Sequence, residues 1–273
     1  MRRPALMLLA IWLIAWTRAG RAQELPLFDA HIHYSQSAWG ELAPAQALAL
    51  LEAAGVGWAL VSSTPDDGTL KLHALAPQRI VPFLRPYRTP ADMGGWAHDP
   101  EVQAYVAAGL QKGIYRGIGE FHLSQAAVAA PVVQYCARVA AAQRLFLHAH
   151  VDATTAAALL ERYPEVRLLW AHAGMSAPPA VVGELLARFP QLWVELSLRH
   201  DVAPQGQLDP AWRDLFLRHA DRFLVGTDTW VPWRWQALGA EAQATRRWLA
   251  QLPPAVAARI AYQNGLALFV PAK

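Results

Sequence analysis

Short apolar runs alternate with longer stretches of helical periodicity along most of the chain. The runs Leu27–His31, Gly57–Ser62, Ile80–Leu84, Gly117–Phe121, Leu145–His148, Arg167–Ala171, Leu192–Leu196 and Arg222–Val225 read as eight strands. Each is short and apolar at nearly every position, as strands buried on both faces are. Between them, Pro44–Ala54, Glu101–Gln111, Pro131–Ala142, Thr154–Arg162 and Pro179–Arg188 carry apolar residues at helical spacing, and Pro253–Phe269 reads as a closing helix with Asn264 near its end. Strand starts recur every 22 to 37 residues without a repeated sequence, which favours a chain of βα units over a solenoid. Eight such units in ~250 residues predict an α/β fold, a closed (β/α)8 barrel in a single domain. An open doubly wound sheet is disfavoured because no Gly-x-Gly-x-x-Gly follows the first strand. The longest connection, Pro86–Pro100, holds Tyr87, Arg88 and Trp96 and is expected to lie over the barrel mouth.

The first strand carries the most pointed pattern, Phe28-Asp29-Ala30-His31-Ile32-His33. Strand alternation puts Asp29, His31 and His33 on one side and Phe28, Ala30 and Ile32 on the other. Two imidazoles so spaced at a strand end can reach one metal ion. A single His-x-His is weak evidence, and the other strand ends decide. On a barrel, functional residues gather at the C-terminal ends of the strands. Here these ends offer His31 and His33, Glu120 and His122, His148 and His150, His172, Ser197 and Asp228. Six of the ten histidines fall there, and buried imidazoles brought together need a proton or a metal to share.

Composition alters this picture in three ways. At 54% apolar and 16% charged residues the 273-residue chain is globular rather than disordered. Arg2 and Arg3, the apolar run Ala5–Trp16 and the small residues Gly20 and Ala22 read as a secretory signal over residues 1–22, with the barrel in 23–273 and an exported, periplasmic or secreted, product. The run is short of the ~20 residues that span a bilayer, so no stable membrane anchor is expected. All four charges of that segment are arginines; taken from 24 basic residues they leave 20 against 21 acidic ones. Near-neutrality gives no basic face for nucleic acid, and the expected partner is a small molecule. Nothing in the pattern specifies an oligomeric state. Cys136 is the only cysteine and lies in a helical apolar stretch, so it reads as a buried structural thiol.

Taken together, Asp29-Ala30-His31-Ile32-His33, Leu145-Phe146-Leu147-His148, Leu169-Trp170-Ala171-His172-Ala173-Gly174, Gly226-Thr227-Asp228 and Asn264-Gly265-Leu266-Ala267-Leu268-Phe269 resemble the amidohydrolase-related branch of the amidohydrolase superfamily. The likeness covers nearly the whole mature chain in the right order. It implies a distorted TIM barrel with one or two divalent metals, zinc first and Mn2+ or Fe2+ on the same ligands. By resemblance, His31, His33, His148 and Asp228 are metal ligands, and His172 is a second-metal ligand or a group polarising the substrate. Many binuclear relatives bridge their metals with a carboxylated lysine on the fourth strand; here that position is Glu120, similar to TatD-like relatives, and a carboxylate can bridge as well.

The expected chemistry is attack on a small ester, lactone or amide by a metal-activated water, with Asp228 moving the proton and His172 donating to the oxyanion. Arg85, Arg88, His122, His150, Ser197 and Trp230 are candidates for substrate contact, Arg85 and Arg88 for an anionic group, and Trp230 for an aromatic wall with Trp233 and Trp235. Ser197 lacks a Gly-x-Ser-x-Gly elbow, which excludes a serine hydrolase. Decarboxylation of a small unsaturated acid is the alternative reaction on the same constellation, and a non-catalytic metal-binding scaffold the alternative class. A TatD-like nuclease is disfavoured by the absence of a basic stripe.

Overall fold

Eight strands, β1 (Leu27–Ile32), β2 (Val56–Val61), β3 (Ile80–Leu84), β4 (Gly117–His122), β5 (Phe146–His150), β6 (Arg167–Trp170), β7 (Leu192–Glu195) and β8 (Phe223–Leu224), pair in parallel in chain order. The computed structural model describes residues 24–270, so the segment 1–22 read as a signal lies outside the described residues. The sheet closes on itself. Ala30 N donates to Val225 O at 2.9 Å, Asp228 N to His31 O at 2.8 Å and His33 N to Thr229 O at 2.8 Å. The result is the expected single (β/α)8 barrel. Among the described residues no helix is long and apolar enough to cross a membrane.

Local chemistry explains why the helices start where they do. Seven of them begin with proline in the first turn, at Pro44, Pro100, Pro131, Pro179, Pro210, Pro232 and Pro254, where the ring's fixed φ suits the helix and its missing N–H would have had no partner. Asp99, Asp152 and Asp209 cap three helices by accepting first-turn N–H groups. Helices at Asp67–Leu75, Pro210–Arg218 and Pro232–Leu249 complete the outer layer.

Two apolar layers hold the barrel. The larger joins the outer strand faces to the helices; the smaller joins Phe28, Ala30, Leu60, Val81, Phe83, Phe146, Leu169, Leu224 and Phe269. Contacts of Phe269 with Phe28, Phe83 and Phe146, at ring separations of 5.8, 5.5 and 4.8 Å, bridge β1, β3 and β5 and so must lie inside the barrel. The C-terminal helix Asn264–Phe269 therefore plugs one end. Polar side chains take the other end. The simple alternation expected for β1 fails midway: its register shifts between Asp29 and Ile32, so Phe28 and Ala30 join the inner floor while Ile32 joins the outer core.

Candidate metal centre at the barrel mouth

Nε2 of His31 and Nε2 of His33 lie 3.0 Å apart. Glu120 Oε2 is 3.5 Å from the first and 3.3 Å from the second, and Asp228 Oδ1 is 3.5 and 3.4 Å from them. Ligand atoms held 2.0–2.1 Å from a tetrahedral ion stand ~3.3 Å from one another. These five separations are therefore those of a cage of the size a small divalent cation requires.

The outer hydrogen bonds of the imidazoles settle which nitrogens face inward. His33 Nδ1 meets the carbonyl of Ser62, His172 Nδ1 the carbonyl of Ser197 at 3.1 Å, and His31 Nδ1 the carboxylate of Glu195 at 2.9 Å. All three partners accept only, so each Nδ1 carries hydrogen and each ring turns its Nε2 to the mouth. Among the described residues His172 Nε2 has no hydrogen-bond partner although it is buried, and it lies 3.5 Å from Glu120 Oε1. Three imidazole Nε2 atoms and two carboxylates converge here with Arg85 as the one guanidinium donor among the described residues, on Glu120, and such a gathering calls for a cation. The electrostatics agree. Burial opposes charge on His31, yet the carboxylates of Asp228, Glu120 and Glu195 outweigh it and hold the imidazolium well above its ordinary range. Burial likewise opposes ionisation of Asp228, but His31 and His33 bring it down to about 2. Glu120 is lowered well below the carboxylate range, against its burial, by His31, His150 and His172.

The backbone around these groups is strained and braced. Non-glycine residues with positive φ gather after β6 (His172, Ala173, Met175), after β7 (Leu198) and after β8 (Asp228), each costing on the order of 1–3 kcal/mol. Two buried arginines hold the turns that carry His172 and Asp228. Arg199 donates to the carbonyls of His172, Ala173 and Ala177 and pairs with Asp201. Arg234 donates to the carbonyls of Asp228 and Thr227. Asp29 stays out of the cage: it ties β1 to Thr227 through the backbone N–H and hydroxyl, and burial pushes its carboxyl up to about 6.

Several sequence expectations need correction. Of the two strand-5 histidines, His150, expected at the substrate, is the one beside Glu120, with Nδ1 2.9 Å from Oε1, while His148, expected as a metal ligand, groups with His31 and Glu195 as a separate set of candidate ligand atoms. His148 sits between His31 and Phe83, with ring separations of 4.6 and 6.2 Å and both nitrogens unpartnered. Arg88 is not at the site; Asp92, Asp99 and Glu101 take its guanidinium. Arg85 is there, donating through Nε to Glu120 O and through Nη2 to Oε2 at 2.8 Å.

Ser197 lies behind the histidines rather than facing a substrate, its Oγ 2.8 Å from His172 Nδ1. His122 flanks His150 at 4.3 Å between rings and sits on the Tyr87 hydroxyl; burial lowers its pKa to about 4. The expected aromatic wall is divided: Trp230 lines the mouth, Trp233 is exposed, and Trp235 is buried against Tyr34. Glu195 was overlooked, although an acid two residues before Ser197 in an apolar strand shares its face.

A cavity of about 650 Å3 opens over the cage, bordered by His33, Arg85, Glu120, His150, Asp228 and Trp230, a size suited to a small organic molecule. An outer cleft of about 740 Å3 beside Tyr135 and Tyr163 has none of the candidate metal-binding groups on its walls.

Comparison with known proteins agrees with this arrangement. No curated protein matches the sequence significantly. Solved structures share the fold: an amidohydrolase from Burkholderia multivorans with bound zinc (16% identity, 90% of this chain and 100% of that one, TM-score 0.60), and the TatD homologue YJJV from Escherichia coli (18%, 90% and 98%, 0.63). A Pseudomonas putida protein assigned as a 2-pyrone-4,6-dicarboxylic acid hydrolase is similar to the same degree (14%, 90% and 98%, 0.61). The amidohydrolase family model matches residues 36–269, which contain every cage residue except His31 and His33. With that match spanning most of the chain, the chain belongs to the amidohydrolase family and is one of its metal-dependent hydrolases, and β1 adds two candidate metal-binding histidines to the cage.

Proposed function

We propose that the chain is an exported hydrolase that uses one or two divalent ions, zinc first, to open a small ester, lactone or amide bearing an anionic group. The observation that carries the reading is the convergence of the His31, His33, Glu120 and Asp228 ligand atoms at 3.0–3.5 Å, with imidazole Nε2 atoms turned inward. Bound there, a divalent cation supplies Lewis-acid polarisation of the carbonyl and acidifies the attacking water.

The protein does the rest. Asp228 borders the cavity and is ionised at working pH; it takes the proton of the attacking water and returns it to the leaving group. Glu120 presents Oε2 to the cage and Oε1 to His150 and His172, so it is the bridging carboxylate if a second ion binds. Zinc is favoured by the imidazole-rich donor set. Arg85 keeps Nη1 free of hydrogen bonds within the described residues and lines the cavity, where it meets the substrate's anionic group. The lactone dicarboxylate named for the Pseudomonas putida relative combines the same two features.

The test is metal content and turnover together. Wild type should bind a stoichiometric divalent ion, and His31→Ala should lose it. Asp228→Asn should keep most of the ion and lose turnover by at least about 100-fold on a panel of carboxylated lactones, esters and amides. A wild-type protein that takes up no zinc would end the reading.

A further inference from the structure

Beneath the cage, Glu195 meets only donors. Its Oε1 receives His31 Nδ1–H at 2.9 Å, the His172 backbone N–H at 2.7 Å and the Ser197 hydroxyl at 3.0 Å, while Oε2 receives the Ser197 backbone N–H at 2.8 Å. The side chain is fully buried. Three donors crowd Oε1 and one meets Oε2, a setting that calls for an acceptor on both oxygens, as an ionised carboxylate provides. Its seat is made by Gly226, where a Cβ would come within 2.6 Å of Glu195 Oε2 and 3.1 Å of the His31 Cβ.

We infer that Glu195 is the positioning residue of the centre: one carboxylate fixes the ring and tautomer of His31 and, through the His172 amide, the place of His172. The inference rests on the metal reading above and goes beyond it, because it assigns a role to a residue outside the His31, His33, Glu120 and Asp228 cage. His33 is held by a backbone carbonyl, and His31 is the cage imidazole anchored by a charged side chain. Charge-assisted bonds of this kind are short and strong, and they raise the ligand nitrogen's basicity as well as fix its direction. An amide side chain in the same space would not hold the tautomer. Glutamine has one acceptor oxygen and one NH2 group, so whichever way its amide is turned an N–H faces a donor.

The experiment compares wild type, Glu195→Gln and Ser197→Ala as full chains, with zinc alone as the probe. Zinc Kd is measured by competition with a chromophoric chelator, and the imidazole nitrogens of the zinc-loaded proteins are read by 15N NMR. Wild-type His31 should show a protonated Nδ1 with a low-field, hydrogen-bonded proton and a metal-bound Nε2. Glu195→Gln should bind zinc about 10- to 100-fold more weakly and shift that proton upfield. Ser197→Ala, which leaves the Glu195–His31 contact in place, should bind close to wild type.

Equal affinity and an unmoved proton in Glu195→Gln would overturn the assignment while leaving the metal centre standing. So would a Ser197→Ala loss as large as that of Glu195→Gln. If Glu195→Gln does not fold, the wild-type spectrum still decides: zinc on Nδ1 of His31 refutes the inference. A wild type without zinc affinity removes both readings.

Discussion

Lowering the pH below the raised pKa of His31 should weaken zinc binding by up to about tenfold per unit, because the ion and a proton compete for Nε2 of His31. In the metal-free protein this ring is fully buried, opposed by desolvation, yet faces Glu195 at 2.9 Å and Glu120 and Asp228 at 3.5 Å. Their fields hold the imidazolium well above the ordinary value of 6.5, so below that raised pKa the ring enters binding with both protons. The free state carries the raised pKa. Affinity is therefore complete above that pKa and is lost as pH falls below it. Each proton displaced makes log Kd climb by one for each pH unit lost, about 1.4 kcal/mol. His172 is also raised, by Glu195 and Glu120 against its burial, so a slope approaching two would mean that an ion takes its Nε2 as well. Titration calorimetry in two buffers of different ionisation enthalpy, from pH 6 to 7.5, measures both the affinity and the protons released. A flat Kd with no proton release across that range would refute the assignment of His31 as a ligand.

Other perturbations separate the remaining claims. Arg85→Met should raise KM for a carboxylated substrate by at least about tenfold while leaving a neutral ester nearly unaffected; equal effects on both would remove Arg85 from substrate binding. Gly265→Ala should destabilise the fold by about 1–3 kcal/mol, because the new Cβ would lie 2.2 Å from Phe28 Cγ, a ring stacked on Phe269; an unchanged Tm would show that the inner floor yields. Burial pushes the Cys136 thiol up to about 12, so it should ignore a thiol reagent at pH 8 and react once denatured; rapid reaction of the native protein would contradict its place in the core.

Much of the fold was legible before any coordinates. Strands buried on both faces leave uninterrupted apolar runs, and all eight expected runs overlap observed strands. Proline and aspartate mark helix starts through their own covalent chemistry, which needs no distant partner. The rim was legible too, since histidines after apolar runs have little other reason to recur at strand ends. The divided tryptophans show the limit. Trp230, Trp233 and Trp235 are neighbours in sequence, but a helix beginning at Pro232 sends them in different directions.

The residues of this chain therefore determined by themselves the number and order of the strands, the barrel they close and the end at which its chemistry collects. Only the tertiary structure decided that His150 rather than His148 reaches Glu120, that Glu195 stands behind His31, and that Arg199 serves backbone carbonyls. Alternation along a strand tells which side a residue faces. How deep it sits, and what meets it from a strand more than a hundred residues away, depends on register shifts such as those in β1 and β4, and these are set by how neighbouring strands pack.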